Sequence, residues 1–167
     1  MDLEERVAEL ERRMAALESG DRPAPPAVTD ADFWALEGLK DQLVRADAES
    51  GGVLFTGAVR LPTRERYEWQ VGALTEELLE DDWSGLADAF AALGNPVRLR
   101  LLREIVGGRR TAAGLAELEG LGTTGQIYHH LRQLTAAGWL HTAGRGRYEV
   151  PGVRVVPLLV ALAAARP

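Results

Sequence analysis

Between Gly94 and Val150 the chain is punctuated so closely that no helix there can run much beyond about a dozen residues, and this spacing constrains the fold more than any other feature. Asn95-Pro96 opens a helix with a capping side chain and a ring whose missing N–H is no loss at the first position. Gly107-Gly108 stops it. Thr111 caps a second, short helix, and Gly120-Leu121-Gly122 supplies a tight turn. Thr123 with Gln126 forms a capping-box pair that starts a third helix. Leu140–Thr142 and Arg147–Val150 then read as two strands around a Gly144-Arg145-Gly146 tip. Periodicity assigns the buried stripes: Leu99, Leu102 and Ile105 on the first helix, with Val106 beside them; Leu115 and Leu118 on the second; Ile127, Leu131 and Leu134 on the third. Arg98 and Arg103 are left to face solvent or phosphate, and His130 to sit hydrogen-bonded at the edge of the core.

Three short helices followed by a basic ribbon describe a winged helix-turn-helix, so the expected fold class is mostly α with a small amount of β. At 100° per residue, Gly125, His129, Arg132 and Ala136 point away from the buried stripe of the third helix, flanked by Gln126, Tyr128 and Gln133. An exposed helix face of this kind reads base edges in the major groove. Gln126 can pair bidentately with adenine and His129 can donate to guanine acceptors. Gly125 lets the backbone approach closely, while Thr124, Tyr128 and Arg132 suit phosphate. On the wing, Arg145 and Arg147 are placed to reach the backbone or minor groove. The recognition helix is thus expected over about 123–137 and the wing over about 140–150. The adjacent His129 and His130 project about 100° apart and cannot chelate one ion, so no metal site or cofactor is expected. No nucleophile–base pairing and no phosphate-cradling loop stands out, which argues against an enzyme.

The net charge of -6 opposes DNA binding until it is resolved along the chain. Residues 1–95 carry 9 Lys/Arg against 21 Asp/Glu, whereas residues 96–150 carry 8 Arg against 4 Glu. The positive charge therefore coincides with the segment that carries the motif, as phosphate contact requires. Cysteine is absent, which excludes disulfides and thiolate zinc sites. The acidic start of the chain is unlike a signal peptide, and the longest apolar run is too short to span a bilayer. A cytoplasmic protein without membrane contact is the expectation.

Upstream, Leu3, Val7, Leu10, Met14 and Leu17 form an a/d seam. Arg6 and Arg13 at g with Glu4, Glu11 and Glu18 at e favour a parallel pair of copies over an antiparallel one. Residues 1–19 are read as a coiled-coil helix and 20–29 as a Pro-rich linker. Residues 30–83 are read as an accessory segment, and 84–167 as the DNA-binding and dimerisation domain. In the accessory segment Thr29 or Asp30 caps a helix to about Ala48, with Phe33, Leu36, Leu39 and Leu43 on one face. A hairpin follows, turning at Leu61-Pro62-Thr63-Arg64. Its apolar face, with Phe55, Tyr67 and Trp69, must pack on the winged domain or a partner, or hold an apolar ligand. An acidic stretch, Glu76 to Asp82, leads into a helix from about Ser84 to Leu93. The apolar helix Val153–Ala165, bearing Leu158, Leu159 and Leu162, calls for a dimer interface.

Leu93-Gly94-Asn95-Pro96-Val97-Arg98-Leu99-Arg100, the His130-Leu131 pair and Ala137-Gly138-Trp139-Leu140 together resemble the ArsR/SmtB-type winged helix regulators. The resemblance covers roughly residues 84–165, about half the chain. It implies a homodimer joined by residues 84–93 and 153–165, which represses transcription and leaves DNA when an inducer binds. Metal-sensing members carry cysteines on the helix before the turn or His and acidic ligands on the last helix; this chain has neither. The expected function is a homodimeric, sequence-specific transcriptional repressor on palindromic double-stranded DNA. The alternatives are a winged-helix scaffold assembling through its coiled coil, and a regulator switched by a small molecule near the hairpin.

Overall fold

A computed structural model describes residues 33–144 and 146–166. The heptad seam Leu3, Val7, Leu10, Met14 and Leu17, the Pro-rich linker, the cap at Thr29 or Asp30, and Arg145 lie outside the described residues. The chain divides into two units, Met1–Asp41 and Gln42–Pro167. Helix α1 (Trp34–Arg45) begins in the first and ends in the second, three residues short of the expected Ala48. In the first unit Lys40 pairs with Glu37 one turn earlier at 2.8 Å, an exposed contact of little energetic weight.

In the second unit β1 (Gly52–Arg60) and β2 (Arg66–Leu74) form an antiparallel hairpin, in register from Gly52↔Leu74 to Arg60↔Arg66. The acidic stretch does form structure: α2 (Thr75–Glu80), then a 3-10 turn (Trp83–Leu86) that Asp82 caps by accepting from the Ser84 amide at 2.9 Å. The expected helix from Ser84 is therefore in its first part a 3-10 turn. Only α3 (Ala87–Leu93) is α-helical. Next come α4 (Pro96–Val106), α5 (Ala112–Ala116) and α6 (Thr124–Ala136). The small wing, β3 (His141–Thr142) with β4 (Tyr148–Glu149), leads to α7 (Gly152–Ala164), which carries Pro157 in its interior. The predicted helix-turn-helix and wing are present, with boundaries shifted by a residue or two.

The core is continuous from the winged domain into the hairpin. Leu101, Leu102 and Ile105 of α4, Leu115 of α5, Ile127, Leu131 and Leu134 of α6, and Val155 and Leu158 of α7 are all buried. Leu61 of the hairpin turn belongs to the same cluster, with Val59 and Tyr67 packed against it. α7 lies across both hairpin strands. The approach is close enough to require Gly57, where a Cβ would come within 2.6 Å of Val156 Cγ1. Of the three partners open to the hairpin's apolar face, the winged domain takes its turn-proximal half. Toward the other end the face emerges into solvent at Val53 and Val71.

The α4 stripe differs from the expected one. Leu99 is only half-buried, and the buried positions Leu101, Leu102 and Ile105 continue back to Arg98 in an i, i+3, i+4, i+7 row. Arg98 consequently does not face phosphate. Its Nε donates to the Ala92 carbonyl at 2.6 Å, Nη2 to the Ala91 carbonyl at 2.7 Å and Nη1 to Gln133 Oε1 at 2.8 Å. A cation thus closes the C-terminal end of α3 while tying it to α4 and α6. Trp139 adds a second tie, donating from Nε1 to the Ala89 carbonyl at 2.8 Å, with Arg154 stacked 5.1 Å over its ring.

Because Leu61 fills the shared core, Leu61→Ala is expected to cost about 2–4 kcal/mol. That corresponds to a thermal midpoint lower by on the order of 5–10 °C, with a single transition preserved. Calorimetry checks this: a hairpin that folded independently would leave the main transition where it was.

Candidate nucleic-acid interface

Local signals place α6. The Thr123 side chain accepts from the Gln126 amide at 3.3 Å, and Gln126 Oε1 accepts in return from the Thr123 amide at 2.7 Å and from its hydroxyl at 3.2 Å. The reciprocal cap fixes the first turn, and Leu121, buried just before it, anchors the preceding turn. With Ile127, Leu131 and Leu134 facing inward, Thr124, Gly125, Gln126, Tyr128, His129 and Arg132 all stand exposed. No carboxylate occurs within α6. Its N-terminal amides and macrodipole therefore combine with Arg132 to favour an anion.

One expected role is altered by the cap. Bidentate pairing with adenine needs the Gln126 carbonyl oxygen as acceptor and its amide as donor. Here that oxygen already accepts from both Thr123 donors, which leaves the Nε2 donors as the part of the Gln126 side chain that the cap does not use. His130 also departs from expectation. It is partly buried on the stripe side, but its buried Nδ1 has no hydrogen-bond partner. Its ring meets His129 edge-on at 5.7 Å. Among the described residues no group of His, Asp and Glu is clustered as a metal site would require.

The wing is a short two-stranded ladder extended by one isolated bridge. β3 pairs with β4 through His141↔Glu149 and Thr142↔Tyr148, and Thr111, the cap of α5, bridges to Arg147. The Tyr148 amide donates to the Arg110 carbonyl at 2.7 Å. Arg147 is exposed, 3.8 Å from Glu149.

Arg110 is the residue that periodicity and motif missed. Only 14% of its side chain is exposed, and its Nη1 donates at 3.1 Å both to Glu65 Oε1 in the hairpin turn and to Glu149 Oε1 in β4. Nη2 engages Glu65 Oε2, to which the Thr63 hydroxyl also donates at 2.6 Å. The Arg110 guanidinium, and after it the Thr63 hydroxyl, hold the Glu65 carboxyl below the usual range, whereas burial and then the Glu65 charge raise the Tyr67 phenol. Nothing in the spacing of Glu65, Arg110 and Glu149 announces the triad; only the docked hairpin brings them together. Other arginines are likewise bound within the chain. Arg100 donates to the Glu119 carbonyl at 2.8 Å and Arg109 to the Gly114 carbonyl at 3.1 Å.

The remaining candidates separate. Tyr67 packs against the core and α7, where a Cβ on Gly152 would lie 3.2 Å from its ring. Its ring is thereby engaged by the chain itself. Phe55 and Trp69 are half-buried, and the groove beside Trp69, over Thr56–Ala58 and Glu68–Gln70, is shallow and open. Of the apolar residues expected at a dimer interface, Leu158 is buried in the single chain and Leu159 packs half-buried on its core. Leu158 is thus corrected from interface to core, because α7 turns that side inward. Leu162 remains exposed, and Leu79, Trp83, Leu86 and Phe90 add large exposed apolar surface from α2 to α3.

A helix-turn-helix domain family matches residues 93–142, the stretch from the end of α3 to the first wing strand. No curated protein and no solved structure matches the chain. The match supports a DNA-binding regulator. No helix among the described residues is long and apolar enough to cross a membrane.

Arg110→Met would leave the Glu65 and Glu149 carboxylates facing each other. The expected cost is about 1–3 kcal/mol at neutral pH, below that of a fully buried pair because Glu65 keeps solvent access. The sign with pH follows from the depressed Glu65 pKa. Its stabilising contribution is present above the unfolded carboxyl pKa and is lost as pH falls through the folded one. Urea midpoints of native protein and variant should therefore converge as pH falls from neutrality through and below the ordinary carboxyl range; a constant gap would contradict the triad.

Proposed function

We propose that the chain is a homodimeric, sequence-specific transcriptional regulator acting as a repressor. In this reading α6 enters the major groove and the wing rests on the backbone or minor groove. The observation that carries it is the exposed, carboxylate-free outer face of α6, capped at its N-terminus, within the segment matched as helix-turn-helix. His129 and the free amide of Gln126 read bases as donors, which suits guanine N7 and O6 or adenine N7. Thr124, Tyr128, Arg132, Arg145 and Arg147 hold phosphates, and Gly125 admits the backbone.

The exposed apolar surface supports self-association. Phe90 is 67% exposed on α3 and Leu162 is 39% exposed on α7, the two helices that the ArsR/SmtB resemblance assigns to a dimer interface. Two recognition helices in two-fold symmetry would then meet a palindromic operator in successive grooves. The coiled coil at residues 1–19 would reinforce the same pairing.

Two measurements test the reading. Selection of bound fragments from genomic DNA, followed by mobility shifts, should yield a specific site. His129→Ala should relax base preference at one position of each half-site by about 1–3 kcal/mol, while Arg132→Ala should weaken all sequences uniformly and lower the salt slope by about one. Absence of any salt-sensitive shift would remove the regulator. In sedimentation, Phe90→Asp should convert dimer to monomer and weaken operator binding at least about tenfold, as loss of one half-site's hold requires. A native monomer would remove the interface.

A further inference from the structure

Between residues 46 and 95 the only basic side chains are Arg60, Arg64 and Arg66, in the hairpin turn and the strand ends that flank it. The strand register sets Arg60 directly opposite Arg66, where like charges destabilise a sheet. Arg64 occupies the third position of the Pro62-Thr63-Arg64 loop with φ +69°, a left-handed conformation at which glycine is ordinary. Glu65, the nearest acid in sequence, is turned inward to Arg110. All three arginines are exposed, and among the described residues none takes part in an ion pair.

The turn is also held in place. Leu61 is buried in the winged core, and Thr63 Cγ2 lies against Gly108, where a Cβ would come within 3.0 Å of it. Arg110 ties Glu65 to Glu149 of β4, and Glu149 lies 3.8 Å from Nη2 of the wing residue Arg147. One guanidinium therefore separates the turn from the wing. Strained, mutually repelling cations on a fixed support beside a basic ribbon match the chemistry of a polyanion contact.

We propose that the β1–β2 turn is a second wing, whose Arg60, Arg64 and Arg66 bind DNA phosphates flanking those held by the first. This rests on the DNA-binding reading above and extends its footprint outward. Arg60 and Arg66, on opposed stems, serve one phosphate or two neighbours, and Arg64 reaches the next. The contact carries no base information, so it adds affinity and salt dependence without changing sequence preference.

The test uses the full chain and a fluorescent duplex of about 40 base pairs, long enough to pass beyond two half-sites one turn apart. Anisotropy is measured across salt for native protein and for Arg60→Gln/Arg64→Gln/Arg66→Gln. The variant should weaken binding tenfold or more and lower the salt slope by about two to three. Its thermal midpoint should stay level or rise, because cross-strand repulsion is relieved. A folded variant with the native salt slope overturns the second wing while leaving α6 as the DNA contact. A variant that loses stability is replaced by Arg64→Gly, which eases the turn and should still lower the slope by about one; an unchanged slope overturns the proposal. Native protein that fails to bind the duplex at any salt overturns both readings.

Discussion

Helices of 5, 11 and 13 residues are too short to persist alone in water, so the helix-turn-helix exists only because its apolar stripes close on one another. Leu101, Leu102, Leu115, Ile127, Leu131 and Leu134 make that closure, and α7 covers it with Val155 and Leu158. The hairpin contributes the last wall through Leu61, Val59 and Tyr67. An accessory element in sequence is thus structural in fact. What displaces the hairpin also opens the core that fixes how α6 presents its outer face.

Charge follows the same division of labour. The arginine-rich segment looks as if all its cations were available to a partner, yet Arg98, Arg100, Arg109 and Arg110 are bound to carbonyls or carboxylates within the chain. Their roles are to close helix ends and to join elements that the apolar core alone would leave loosely registered. Arg132 on α6 and Arg147 on the wing remain at the surface, with Arg103 on α4 and the arginines of the hairpin turn. A charge count over sequence therefore overstates how many guanidinium donors are free for a partner.

The legible parts of the fold were those with local causes. Asn95-Pro96, Thr111 and the Thr123–Gln126 box act within one turn, so caps and helix starts fall where the residues place them. The α6 stripe was legible because Ile127, Leu131 and Leu134 admit one face only. α4 was not: Leu99, Leu101, Leu102, Ile105 and Val106 admit two faces, and a charged Arg98 argued against the correct one. That argument fails because a guanidinium can lie on a buried row when helix-end carbonyls meet it. The triad Glu65, Arg110 and Glu149, and the withdrawal of Leu158 into the core, depend on tertiary docking for which no local pattern exists. α2 was read only as an acidic run, since its capping residue Leu74 offers no side-chain signal.

The Gln126 carboxamide shows how a local cause constrains recognition. As the fourth member of the capping box it needs its oxygen toward Thr123, and as a reader of adenine it would need that oxygen toward the groove. Both cannot be met by one rotamer. Releasing the cap to read a base exposes the Thr123 amide and loosens the first turn, the turn that carries Gly125 and aims His129. On the proposed function the cap is kept, and discrimination at this end of α6 then comes from donors alone. Acceptor-rich guanine is the base such a surface favours, and cytosine's amino group, itself a donor, is what it turns away.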